Sequence, residues 1–218
     1  CAEFGIHSLS LPSKYTGKCD RDFLTAIIAM EALGYGCPDN GLAFALSAHI
    51  WTVQHPILQF GSDDQCARYL PRLSSGEWIG CHAVSEPGSG SDMFNMQSVA
   101  ARSEGGYVLN GHKHYILLGP VADLAIVFAL TDPPAGKWGM SAFLVETSSP
   151  GVIIGENRPE MGLRTAPFGD LRFEDCFVPE SNRLGPEGAG MSLSTCFMER
   201  ERCTILAGQV GAMQRQLE

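Results

Sequence analysis

The chain is 218 residues long, enough for one large domain or two small ones and for a sizeable buried core. Hydrophobic residues make up 44% and charged residues 18%, an ordinary globular balance that excludes a disordered or fibrous chain. Acidic residues outnumber basic ones 24 to 15, net −9, so neither nucleic acid nor an anionic membrane is an expected partner, since both need a basic face. Glycine stands out at 25 residues, above its usual share of about 7%, and implies many turns and close backbone approaches. No apolar run reaches the roughly 18 residues of a membrane helix; Ala125 to Leu130 is only strand-length. The N-terminal stretch Cys1 to Tyr15 lacks the charged and apolar regions of a secretion signal, and no Met opens it. Eight cysteines are scattered without a CxxC pair, which reads as reduced, mostly buried thiols in a cytoplasmic protein.

Along the chain, Phe23, Ile27 and Met30 recur at helical spacing behind Asp20, a suitable N-cap. A second helix runs from about Asn40 towards Gln59, and a third starts at Ser62, where Asp63 and Asp64 supply an acidic first turn. From Glu77 the pattern turns to short β runs: 78–84, 107–109, 115–118, 122–130, 141–145, 152–154 and 171–177. Glu104-Gly105-Gly106, Asn110-Gly111, Pro133-Pro134-Ala135-Gly136 and Pro150-Gly151 punctuate them as turns of an antiparallel sheet. After Gly190 helical periodicity returns, with Leu206, Val210, Met213 and Leu217 on one stripe. No Gly or Pro closes that helix, which reads as one that continues. The fold class is therefore α+β: a helical part over 1–76, a β domain over 77–187 and the first helix of a further helical part over 188–218.

The densest special segment is Cys81 to Asp92, CHAVSEPGSGSD, a strand that runs into a loop rich in backbone N–H groups and hydroxyls. Such a loop can cradle a polar or anionic ligand, or it is simply a connection that needs Gly for its turns. It contains neither GxGxxG nor GxxxxGK[ST].

AVSEPGSGSD resembles the first signature of the acyl-CoA dehydrogenase family. FGSDDQCARYLPRLSSGEWIG before it, and GHKHYILLG, MGLRTAPFGDLRFEDCFVP and LGPEGAGM after it, resemble the family's flanking stretches in the same order, so the likeness covers practically the whole chain. The resemblance implies an N-terminal helical domain, a middle β-barrel-like domain and a C-terminal four-helix bundle, assembled as a homodimer or homotetramer. It also implies FAD held by His82, Ala83, Val84, Ser85, Gly90, Ser91, Tyr115, Ile116 and Leu117. The Ser85 hydroxyl is expected at the flavin pyrimidine edge, and Ser91 between flavin and the acyl thioester. Tyr115 stands where the family usually has Trp, and keeps an aromatic surface there.

Two positions depart from the family pattern. Leu117 replaces a Thr or Ser whose hydroxyl bonds flavin N5, leaving only its backbone N–H for that task. Asn95 replaces a small residue, a steric and local change. The implied reaction is α,β-dehydrogenation of an acyl thioester, either acyl-CoA or a carrier-protein thioester, in which a carboxylate takes the α-proton as hydride leaves the β-carbon. Glu201 falls at the base position of the isovaleryl and long-chain members, with Glu199 and Arg202 as substrate contacts; read by themselves, Glu199 to Arg202 are a solvated helical charge run. Glu86 is expected to be structural. The stretches 166–179 and 198–218 resemble bacterial members of secondary metabolism that oxidise carrier-protein thioesters, and Arg158, Arg164 and Arg172 are candidates for a basic patch facing an acidic carrier. The acceptor is expected to be an electron-transfer flavoprotein or oxygen.

No metal is expected: His112-x-His114 lies on a strand with no third ligand apparent in the sequence. His49 and His55 read as ordinary helix residues, and Cys81 and His82, adjacent on a strand, point to opposite faces. Two other functions stay open, a flavin monooxygenase of the same fold and a non-catalytic assembly module. Colour and bleaching by an acyl thioester separate all three.

Overall fold

The computed structural model describes every residue except Cys19 and Arg21, and only the backbone of Phe94 and Arg200. The described chain forms two compact units, one of residues 1–79, 159–166 and 196–218, the other of residues 80–158 and 167–195.

The first unit is helical. After the short α1 (Ser13–Thr16) come α2 (Phe23–Gly36), α3 (Asn40–Ala48), α4 (His55–Phe60) and α5 (Asp63–Ser75). Asp22, not Asp20, caps α2, accepting from the Thr25 N–H at 2.7 Å. Ser62 and Gln65 form a reciprocal capping box on α5, as the Ser-Asp-Asp start suggests. The expected second helix is present but is wound as a π-helix over His49–Gln54. Pro56 has no N–H to return to the Thr52 carbonyl, so the regular ladder cannot pass this point. Ala26, Met30, Leu46, Ile50 and Trp51 form the core with Leu9 and Ala207.

The expected single final helix is two, α6 (Gly190–Thr204) and α7 (Ala207–Leu217). The Leu206, Val210, Met213 and Leu217 stripe exists but is exposed, at 52–88%. What α7 buries is the small-residue face of Ala207, Gly208, Gly211 and Ala212. There α7 meets α2 so closely that a Cβ on Gly34 would fall on the Gly208 carbonyl oxygen. Arg215 binds the C-terminal end of α2, donating to the carbonyls of Gly34, Tyr35 and Cys37 at 3.1, 3.0 and 2.7 Å.

The second unit is built on one eight-stranded sheet: β1 (Gly80–Ala83), β2 (Val99–Ser103), β3 (Gly106–Leu117), β4 (Leu124–Leu130), β5 (Met140–Glu146), β6 (Val152–Ile154), β7 (Phe168–Pro179) and β8 (Arg183–Leu184). The order is β6-β7-β3-β2-β4-β5-β8, with β1 on β4. The expected antiparallel, barrel-like arrangement needs correcting on two counts. The sheet is mixed, because β1 and β2 both run parallel to β4, and it does not close into a barrel. Asn110-Gly111, read as a turn, lies inside β3. The Asn110 side chain instead binds Asp175 across a bulge in β7, where Asp175 has φ 47.

Candidate functional site

The signature strand and its loop are fastened from beneath by a buried ion pair. Lys113 on β3 and Glu86 at the head of the loop are 0% and 4% exposed, with Nζ 2.8 Å from Oε1. Lys113 also donates to the Val84 carbonyl at 3.1 Å. Glu86 accepts in addition from the N–H groups of Gln97 and Ser98 at 2.6 and 3.0 Å and from the Ser98 hydroxyl. Burial alone would raise the Glu86 carboxyl pKa, but Lys113, Ser98 and Gln97 outweigh it and hold it below its ordinary value. Burial pulls the Lys113 ammonium down to about 8 against the opposing pull of Glu86. Glu86 thus has the structural role expected of it: its carboxylate is consumed in holding the loop.

The loop itself is a tight reciprocal bridge, Glu86 N–H to the Ser89 carbonyl at 2.8 Å and Ser89 N–H to the Glu86 carbonyl at 3.1 Å. Asn95 donates from its side chain to the Gly88 carbonyl at 3.2 Å, so the departure from a small residue adds a tie to the loop. Beyond this framework Pro87, Gly88, Gly90, Ser91 and Asp92 are exposed, and a Cβ on Gly88 or Gly90 would meet nothing within 4 Å. His82, Val84 and Ser85 are half-buried and Ala83 is fully buried. Burial, with the nearby Lys113 charge, lowers the His82 pKa to about 4, so the imidazole is neutral at pH 7.

The Ser85 carbonyl takes the His114 N–H at 2.8 Å, which sets the signature strand beside the end of β3. Between Lys113 and Ile116 β3 bulges, carrying two residues opposite the single Asp170 of β7. Tyr115 lies on this bulge with φ 55 and is 53% exposed. Ile116 is buried and Leu117 half-buried.

Sequence reasoning missed the third group near His112 and His114. Asp170 Oδ2 is 2.9 Å from His112 Nε2, and Oδ1 is 3.0 Å from His114 Nδ1. The three side chains have metal-ligand proximity. Arg158, however, donates to both Asp170 oxygens, at 3.1 and 2.9 Å, so a guanidinium already supplies the cation that this carboxylate faces. Asp170 comes from a strand 56 residues beyond His114, and no local spacing could reveal it. Of the three arginines considered for a basic patch, Arg158 is thus engaged, while Arg164 and Arg172 are exposed and lie in different units.

On α6, Glu199 and Arg202 are exposed, as in a solvated charge run, but Glu201 is half-buried. Burial raises the Glu201 carboxyl pKa, opposed in part by the adjacent Arg202 charge. A carboxyl so tuned is a better proton acceptor than an ordinary solvated one.

Residues 1–77 match the acyl-CoA dehydrogenase N-terminal domain and residues 81–176 the acyl-CoA dehydrogenase middle domain. An L-prolyl-[peptidyl-carrier protein] dehydrogenase of Pseudomonas fluorescens is 42% identical over 219 residues, covering 100% of this chain and 57% of the relative. An isovaleryl-CoA dehydrogenase of Oryza sativa is 37% identical, covering 99% and 52%. Among solved structures, the prolyl acyl carrier protein oxidase AnaB superposes with a TM-score of 0.97 at 46% identity, covering 100% of this chain and 57% of that one. PigA with FAD and proline gives 0.94 at 38%, covering 99% and 56%. The chain therefore spans a little over half the length of the relatives it matches. With both domain matches in order and a fold shared at 46% identity, this chain belongs to the acyl-CoA dehydrogenase family.

Proposed function

We propose that the protein to which this chain belongs is an FAD-dependent dehydrogenase of a prolyl or related aminoacyl thioester on a carrier protein. Likeness along the whole chain to prolyl-carrier-protein enzymes supports the substrate class. The observation that carries the chemistry is Glu201, a half-buried carboxyl with a raised pKa between the exposed Glu199 and Arg202.

The residues present suit a flavin. Gly88 and Gly90 leave open space before their backbone, the half-buried Ser85 supplies a hydroxyl, and Tyr115 presents an aromatic ring from a backbone that costs energy to hold. His82, Ala83, Val84, Ser85, Gly90, Ser91, Tyr115, Ile116 and Leu117 would hold the ring system, with Leu117 contributing only backbone. FAD, when bound, supplies the acceptor for the hydride that leaves the substrate β-carbon. Glu201 takes the α-proton, and the electron pair of the broken Cα–H bond becomes the new double bond as hydride departs. Neutral His82 and the closed Lys113–Glu86 pair add no net charge beside the signature strand. Glu199 and Arg202 contact substrate. Oxygen or an electron-transfer flavoprotein takes the electrons; the protein is a homodimer or homotetramer in the cytoplasm. Free Cys37, Cys66, Cys81 and Cys176 suit that reducing compartment.

The test is Glu201→Gln in the full-length protein, mixed anaerobically with prolyl-loaded carrier protein. Flavin bleaching should slow by about 10²–10⁴-fold, the range for a lost general base, with FAD still bound. An unchanged rate would remove Glu201 as the base, and full bleaching by prolyl-CoA alone would remove the carrier-protein requirement.

A further inference from the structure

Tyr115 is half-exposed on a bulge with φ 55, yet its ring is held on two sides. The Arg158 guanidinium lies over it, 5.3 Å from the ring centroid, and the His114 imidazole meets it edge-on at 4.3 Å and 78°. Both holders end on one carboxylate. Asp170 takes two N–H bonds from Arg158 and sits 3.0 Å from His114 Nδ1, while His112 Nε2 lies 2.9 Å from its Oδ2. We propose that Asp170 is a positioning residue that fixes the Tyr115 ring, through Arg158 and His114, as an aromatic surface for the cofactor. The inference rests on reading Tyr115 as a flavin contact.

The backbone favours this arrangement over a metal site. The bulge sets His114 and Tyr115 together against Asp170 alone, so one carboxylate meets both the residue beside Tyr115 and the arginine above it. The side chain that approaches Asp170 from the loop before β7 is a cation that needs no metal to balance the carboxylate. Burial would raise the Asp170 pKa, but Arg158, His112 and His114 together push it well below the usual carboxylate range, so the anchor stays charged. A tyrosine in a left-handed backbone conformation gains nothing locally from being there. Its ring is where it is because these contacts hold it.

The experiment uses full-length protein labelled with 3-fluorotyrosine, with the Tyr115 resonance assigned by Tyr115→Phe. In the apoprotein, Asp170→Asn, which keeps the shape but removes the charge, should shift and broaden that resonance while leaving the other tyrosines in place. An unchanged Tyr115 line overturns the proposal. FAD affinity then tests the link to the cofactor. Asp170→Asn should weaken binding roughly two- to fivefold, the scale of one lost cation–π contact, and should have no effect in a Tyr115→Ala background. Equal weakening in both backgrounds overturns the positioning role, because Asp170 would then act independently of the ring. If Tyr115→Ala leaves FAD affinity unchanged while the fluorine line still responds to Asp170→Asn, the flavin reading of Tyr115 fails and the clamp stands.

Discussion

Replacing Lys113 with Met removes the ammonium 2.8 Å from a carboxylate that is 4% exposed, and leaves the shape of the site nearly unchanged. Breaking a buried pair at one end typically costs about 3–5 kcal/mol, because the remaining charge has lost its counter-ion without regaining water. Glu86 keeps the Gln97 and Ser98 donors, which places the expected loss near the lower end, about 3 kcal/mol at pH 7. The sign of the pH dependence is specific. In the wild type the Glu86 pKa is depressed, so its contribution is present above the unfolded value of about 4.3 and fades as pH falls through the folded one. In Lys113→Met burial is no longer opposed by the ammonium, so the folded Glu86 pKa is higher than in the wild type and acid neutralises the orphan sooner. The deficit should therefore be largest at pH 7 and shrink towards pH 5. Urea unfolding of the full-length protein at the two pH values measures it, with Glu86→Gln made alone and in the Lys113→Met background. The second change should cost markedly less where Lys113 is already gone. A deficit below 1 kcal/mol at pH 7, or one that grows on acidification, would refute the assignment of this pair as the fastening of the loop.

Gly34→Ala should destabilise by about 1–3 kcal/mol in thermal unfolding, because the new methyl would fall on the Gly208 carbonyl and force two helices apart. Gly36→Ala, with nothing within 4 Å, is the matched control and should be neutral or slightly stabilising. Arg215→Met removes three hydrogen bonds from the end of α2 and should cost about 2 kcal/mol, read as a lowered melting temperature. His82, with a folded pKa of about 4 against 6.5 unfolded, stays neutral where the unfolded chain takes a proton, so stability should fall as pH drops from 6.5 towards 4. His82→Gln should flatten that slope between pH 7 and 5, and an identical slope would show that His82 does not cause it.

Local signals in the sequence served local structure well. The Ser62 cap, the strand segments of β4, β5 and β6, and the hairpin at Gly105, whose φ is 77, all follow from residues within a few positions of one another. The failures share a cause. β2 buries only Ala100 fully and carries Arg102 and Ser103 outward, so it lacked the apolar alternation that marks a half-buried strand. Asn110-Gly111 has the composition of a turn, but Ser98 packs where a Gly111 side chain would stand, and Asp175 satisfies Asn110 from another strand. The stripe on α7 was correctly periodic, yet periodicity names a face and not its direction. The close approach to α2 selected the glycines for burial instead.

The candidate site divides along the same line, and the division has a physical reason. The loop from Ser85 to Asp92 was legible because its signature is carried by consecutive residues. The groups that hold it were not: Lys113 lies 27 residues from Glu86, and Asp170 lies 56 from His114. Lys113 and His114 are neighbours on β3, and an uninterrupted strand would point them to opposite faces. They do point apart, one inward to fasten the signature loop and the other outward to Asp170, and the bulge that begins after Lys113 adds Tyr115 to the outer group. One short stretch thus ties the signature loop to the core and presents the aromatic residue beside it. A substitution in either ion pair should therefore disturb one of these tasks and spare the other, since the two carboxylates share no donor.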